Sequence, residues 1–209
     1  MQYLIMGRSG AGKDTLASMM AENGLIVLKS YSTRPKRFSE EDSHNFISED
    51  EAAKITNRIA ETVINGYSYF VTKDMVENSD VFIVDPYGAV ELMRNMPDLD
   101  VQLIYVKAAS DGLRQEMAVA RGDVPEIEEE IYESRCASED GEFTDFENWF
   151  LQMDENSKPA VNPLLDYSVL NHLEKHLFIN EYTEDSMTDF VNTLFSHNVS
   201  EEIAKVSVY

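Results

Sequence analysis

The stretch "YLIMGRSGAGKDTLASMM", residues 3–20, decides how the rest of the chain is read. Its apolar opening, Tyr3 to Met6, has the pattern of a buried strand, and the residues from Lys13 onward suit a helix. Between them, Gly7, four residues and then Gly12-Lys13 give the spacing of a phosphate-binding loop. Glycines at 7, 10 and 12 let successive backbone N–H groups turn inward around phosphate oxygens, and the following helix adds the positive end of its dipole. Gly7, Ser9, Gly10, Ala11, Gly12, Lys13, Asp14 and Thr15 are therefore the candidate ATP-binding residues, with Lys13 bridging the β and γ phosphates. Asp14 stands where a Ser or Thr is expected, and the hydroxyl is displaced to Thr15. A carboxylate is a good oxygen ligand for Mg²⁺, so Asp14 and Thr15 are the candidate metal ligands. Asp14 as a helix-start charge that never touches metal is equally open.

The remaining composition narrows the partners. The chain of 209 residues is long enough for one well-packed domain and too short for two full-sized ones. Its net charge of -22 repels nucleic-acid backbones and anionic membrane surfaces, which argues against a polynucleotide or membrane partner but not against a small anion held by local cations. No apolar run reaches membrane-spanning length and the N-terminus lacks signal-peptide features, so a cytoplasmic protein is expected, as monomer or homodimer. The single cysteine, Cys136, makes neither an internal disulfide nor a Cys-rich zinc site.

Apolar blocks at 2–7, 25–32, 80–86, 101–108 and 164–171 alternate with helical patterns at 13–22, 87–96, 110–121 and about 124–153. The alternation predicts an α/β layer fold with a five-stranded parallel core sheet. Two stretches interrupt it. Residues 34–72 are polar, hold a short helix-like piece near 49–57, and carry a hairpin signal at Asn65-Gly66. Residues 121–142 begin "RGD" and run into "PEIEEEIYESR", in which Pro125 suits a helix start. Residues 155–163 are expected as a surface loop, and 173–209 as a helical tail, helical around 183–197, with no assigned chemistry. His172, His176 and His197 have no metal-ligand spacing, and Phe146, Trp149 and Phe150 form the apolar face of a helix.

Just beyond the second apolar block, "SYSTRPKR" (30–37) sets Arg34 and Arg37 three apart, where ligands gather in open α/β sheets. Such a pair can clamp a second phosphate group. With these residues in place the chain resembles a nucleoside monophosphate kinase of the guanylate kinase type, from residue 3 to about 172. The resemblance implies a P-loop α/β/α domain over 1–209, with an acceptor-binding insertion at 34–72 and a lid at 121–142. In that family the acceptor monophosphate is held by a Ser, two arginines and two tyrosines, and a glutamate reads guanine. The matching positions are Ser30, Arg34, Arg37, His44 in place of the first tyrosine, and Tyr69. Glu61 matches the glutamate with a one-residue gap, since ungapped counting from Tyr69 reaches Ala60. Asp85 and Gly88 in "VDPYGA" match the family's Asp-x-x-Gly.

By the same resemblance Arg121 and Arg135 are lid arginines that stabilise charge on the transferring phosphoryl group, with Arg114 a further candidate, and "DYSVLN" points to Asn171 beside the adenine. The implied activity is transfer of the γ-phosphoryl of ATP, with Mg²⁺, to a nucleoside or deoxynucleoside monophosphate. GMP and dGMP come first, and other deoxynucleotides of the sort some phage-encoded relatives accept remain open. Two other classes stay in view: a guanylate-kinase-like protein-binding module without catalysis, and a P-loop nucleotidase or switch. The second lacks the Asn-Lys-x-Asp stretch that reads guanine in small GTPases, and it leaves "RPKR" unexplained.

Overall fold

Strand β1 (Gln2–Met6) lies between β6 (Val81–Ile83) and β7 (Val101–Ala108), and β8 (Glu174–Asn180) flanks β7, giving a four-stranded parallel sheet of order β6-β1-β7-β8. This computed structural model describes residues 1–36, 39–64, 66–120, 125–151 and 166–206. Both faces of the sheet are covered, so its central strands are apolar on alternate positions of either side. Leu4, Met6, Leu103 and Tyr105 face one core with α4 (Pro86–Asn95) and α6 (Pro125–Leu151). Tyr3, Ile5, Ile104 and Val106 face the other with α1 (Lys13–Glu22) and α7 (Glu184–Val206). The α/β reading of the strand and helix alternation holds.

Two expected strands differ. At 25–32 only an isolated parallel bridge, Val27 to Val81, extends the sheet beyond β6. The Asp80 carboxylate accepts from Ile26 N at 2.8 Å and so replaces a ladder partner; the chain then leaves, and β2 (Tyr31–Ser32) joins a second sheet. Among the described residues the core sheet therefore has four strands and this bridge rather than five strands. At 164–171, residues 164 and 165 lie outside the described residues, and Tyr167–Leu170 is a 3-10 helix. Asp166 caps it by accepting from Ser168 N, and Tyr167 and Leu170, three apart, are the buried pair, which is helical spacing rather than strand alternation. The last parallel strand is β8 instead. It sits at an edge, and its polar and exposed positions, among them Leu177 and Ile179, hid it from an apolar-run criterion.

The second sheet has order β3-β2-β5-β4, with β3 at Asn45–Phe46, β4 at Arg58–Ile64 and β5 at Tyr67–Thr72. The register Ile64 to Tyr67 closes a two-residue hairpin in which Gly66 has φ +81°. The open edge of β4 is covered by α4: Glu91 accepts from Glu61 N, and Asn95 donates to Ile59 O. The helix-like piece near 49–57 is α2 (Glu49–Ala52), closed by a capping box between Ser48 and Glu51. Short helices α3 (Lys73–Glu77) and α5 (Asp111–Val119) complete the chain. Residues 125–142 belong to α6, which runs unbroken to Leu151 and buries Phe146, Trp149 and Phe150.

Candidate active site

The phosphate loop leaves β1 at the centre of the sheet, with β6 on one side and β7 on the other, the point where the strand order reverses. Gly10 and Gly12 have φ of +81° and +97°, and a β-carbon on Gly12 would collide with the Asn180 side-chain nitrogen. The loop needs glycine there for backbone conformation and for space. Gly12 is the N-cap of α1, so the helix dipole points at the loop. Lys13 donates from Nζ to the Arg8 carbonyl at 3.1 Å, folding over its own loop. Asp14 and Thr15 are exposed in the first turn of α1 and offer a carboxylate and a hydroxyl to a hydrated divalent cation. The donor set therefore fits Mg²⁺ with a triphosphate.

One face of α6 lies against this loop. Glu139 accepts from Ser9 N at 2.9 Å and from the Ser9 hydroxyl at 2.5 Å. Arg8 donates to Asp140 at 2.6 Å, Glu147 at 3.0 Å and Thr144 at 3.3 Å, three positions on one stripe of the helix. Tyr105 also donates to Glu147. Arg114, buried, donates to the Ser9 carbonyl at 3.3 Å and to Asp111, with Cys136 beside it. A pocket of about 260 Å³ opens here, lined by Arg8, Ala11, Tyr105, Lys107, Arg114 and Glu147 among others. Arg135 is one helical turn before Glu139 on α6. Arg121 lies outside the described residues.

Asp85 leaves the neighbouring strand end and caps α4, accepting from Gly88 N at 2.6 Å, with Pro86 in the first turn. The Asp-x-x-Gly spacing is thus an N-cap in physical terms. Thr62 donates to the same Asp85 oxygen at 3.3 Å, and Glu142 of α6 accepts from Tyr87 N at 2.7 Å. Burial pushes the Asp85 carboxyl up, against the Gly88 and Thr62 bonds and the nearby Lys13 charge. Burial and then the Asp85 charge push Glu142 up to about 7. Lys13, Asp85, Glu142 and Glu139 thus form one electrostatic neighbourhood between the phosphate loop and the second sheet.

On that second sheet Ser30 and His44 are hydrogen-bonded at 3.0 Å, and the His44 ring meets Tyr69 edge-on at 5.3 Å. Arg34 is buried, its Nη1 and Nη2 donating to the two oxygens of buried Glu41 at 2.9 and 2.5 Å, while Phe46 covers the guanidinium. Glu41 raises the Arg34 pKa, against the opposing effect of burial, with a smaller contribution from Tyr69. Arg37 lies outside the described residues. In the hairpin register Thr62 is opposite Tyr69 and Glu61 is opposite Phe70. Strand alternation therefore puts Glu61 on the other face from Tyr69, where it pairs with Arg58 at 2.5 Å. Ser30, Arg34, His44, Tyr69, Asp85 and Gly88 are gathered, and Glu61 is separated from them. Asn171 is exposed at the end of the 3-10 helix, accepting from the Trp149 indole at 3.1 Å, away from the loop.

The residues that sequence reasoning missed are Glu41, Thr62, Glu139, Glu142, Asn180 and Tyr182. Asn180, not Asn171, is the asparagine ending the last parallel strand. Its side chain donates to the Ala11 carbonyl at 2.8 Å.

No protein-family model matches the chain, and no curated protein sequence matches it. Among solved structures it is similar to guanylate kinase from Anaplasma phagocytophilum, with 17% identity and a TM-score of 0.54, covering 94% of this chain and 85% of that one. The fold is guanylate kinase-like. At this identity the likeness extends to the arrangement of strands and helices, and the chemistry rests on the residues described above. Among the described residues, no helix is long and apolar enough to cross a membrane, and no group of three or more His, Cys, Asp or Glu could hold a metal ion.

Proposed function

We propose that the chain is an ATP-dependent nucleoside monophosphate kinase that phosphorylates a nucleoside or deoxynucleoside monophosphate. The observation that carries this reading is the pairing of two sites at adjacent strand ends. The phosphate loop leaves β1, Asp85 leaves just beyond β6, and Ile5 and Ile83 are in register behind them. A loop of this geometry holds a polyphosphate. The cluster of Ser30, Arg34, His44, Tyr69 and Asp85 supplies donors and acceptors suited to a second nucleotide. A switch protein needs only the first of these sites.

In this reading the loop N–H groups and Lys13 bind the β and γ phosphates and orient the γ-phosphoryl toward the acceptor. Asp14 and Thr15 are the residues that would hold Mg²⁺, which when bound would supply neutralisation of charge on the donor phosphates. Glu41 fixes the Arg34 fork and so sets its guanidinium charge beside Tyr69, where it would attract the acceptor phosphate. Arg37 and Tyr69 complete that clamp, while Arg121 and Arg135 bring positive charge to the transferring group. Thr62 and Asp85, on the face of Tyr69, replace Glu61 as the candidate base readers, since a carboxylate accepts from the N1–H and amino group of guanine.

The test is ADP formation from Mg-ATP with each ribo- and deoxyribonucleoside monophosphate in turn, with Arg34→Ala as control. Turnover with GMP or dGMP alone, lost in Arg34→Ala, is the expected result. Protein that binds Mg-ATP but turns over with no acceptor overturns the kinase reading and favours a binding module or switch.

A further inference from the structure

The tail beyond β8 carries no motif, yet it reaches the phosphate loop. A loop whose N–H groups converge on a phosphate turns its carbonyls outward, and each of those buried acceptors needs a partner. From Arg8 to Gly12 every carbonyl has one. Arg8 O accepts from Ala11 N and Lys13 Nζ, both at 3.1 Å. Ser9 O accepts from Arg114 at 3.3 Å, and Gly12 O accepts from Leu16 N at 3.0 Å within the first turn of α1. The two carbonyls at the centre of the loop are held from the far end of the sequence. Gly10 O accepts from the Tyr182 hydroxyl at 2.7 Å, and Ala11 O accepts from Asn180 Nδ2 at 2.8 Å.

The connector between β8 and α7 is shaped to make these bonds. Asn180 is fully buried, and its Oδ1 accepts from Tyr182 N at 2.8 Å, so one amide group joins the loop to the connector. Tyr182 has φ +59°, making it the one non-glycine residue with positive φ among the described residues. A β-carbon disfavours that conformation, and it persists where surrounding bonds hold it. Here those bonds are the Asn180 contact behind the residue and the hydroxyl contact in front of it.

We propose that Asn180 and Tyr182 are positioning residues that brace the phosphate loop in its binding conformation before a polyphosphate arrives. This rests on the donor-site reading above. Donors fixed in advance need no ordering on binding, so the brace acts on affinity for the phosphate chain. Releasing the Gly10 carbonyl transfers that ordering to the binding step.

The experiment compares the full-length protein with Tyr182→Phe and Tyr182→Gly. Both remove the hydroxyl, and glycine also takes up the left-handed backbone freely. Binding of inorganic tripolyphosphate and of Mg-ATP is measured by calorimetry, together with KM for the acceptor and the urea midpoint of the ligand-free protein. The expected result is roughly five-fold weaker binding of both phosphate ligands in both variants, the equivalent of one hydrogen bond. Acceptor KM should stay at its wild-type value, and the Tyr182→Phe urea midpoint should fall only by the amount one lost hydrogen bond accounts for. Wild-type affinity in either variant overturns the brace. So does a rise in acceptor KM as large as the loss of phosphate affinity, which would make the contact structural only. If the unaltered protein binds neither tripolyphosphate nor Mg-ATP, the donor-site reading itself fails and the brace falls with it.

Discussion

Glu139→Gln is expected to tighten Mg-ATP binding while loosening the ligand-free protein. The carboxylate accepts both the N–H and the hydroxyl of Ser9, and so puts a negative charge at the rim of the phosphate loop. An incoming γ-phosphate would lie roughly 5 Å away, where two unit charges repel by about 3 kcal/mol at an effective dielectric of about 20. Glu139 is half-exposed, so water screens much of this, and about 1 kcal/mol remains, or roughly five-fold in affinity. In the free protein, exchanging charged for neutral hydrogen bonds should lower stability by about 1 kcal/mol. Calorimetric titration of Mg-ATP at low and high salt measures the first effect, which should shrink as ionic strength rises. Denaturant unfolding measures the second. Equal or weaker nucleotide binding by the variant would refute the reasoning, because it would mean that Glu139 supports the loop rather than opposing a polyanion.

Three further outcomes follow from the same geometry. Glu142 is held near 7 in the folded protein against an ordinary 4.5, so the fold keeps a proton that the unfolded chain releases. Its contribution is full below about pH 4.5 and is lost as pH rises through about 7, on the order of 2 kcal/mol after allowing for solvent screening. Urea midpoints should therefore fall between about pH 5 and about pH 8 in the natural protein and change less in Glu142→Gln; identical slopes would sink this. Glu41→Gln leaves the buried Arg34 guanidinium without its carboxylate and should cost about 3 kcal/mol in unfolding free energy, with a loss under about 1 kcal/mol counting against a buried pair. Gly12→Ala sets a β-carbon at φ +97° against Asn180 and should cost about 2–3 kcal/mol and abolish nucleotide binding. Wild-type titration of Mg-ATP by that variant would contradict the loop geometry.

The fold was legible where local pattern and burial coincide. The central strands β1 and β7 are apolar on both faces, and their residues read as continuous apolar runs. The hairpin was legible from its turn residues, whereas Asp85-Pro86, read as the end of the apolar block 80–86, proves to be the cap and first residue of α4. At the edges the same criterion failed in both directions. Tyr167 and Leu170 are apolar because they bury a helical face, and β8 is mixed because it has a neighbour on one side. Hydrophobic runs report enclosure, and only in the middle of a parallel sheet does enclosure imply strand.

The candidate site divides along a different line. Gly7 to Thr15 could be read because the loop's shape is encoded within itself, in glycines that tolerate positive φ and a lysine that reaches back. What orients that loop could not be read, because its partners come from distant elements. Glu139 is 130 residues from Ser9, and Tyr182 is 172 residues from Gly10. In sequence, "EIEEEIYESRCASEDGEF" has the composition of a solvated acidic face, and nothing marks the stripe that meets Arg8 and Ser9. The same holds for Glu61: its type and approximate position fit a base reader, but one residue of register reverses its face, and strand pairing rather than composition fixes register. A motif therefore locates the atoms proposed to bind, while the side chains packed around them emerge only when the chain is folded.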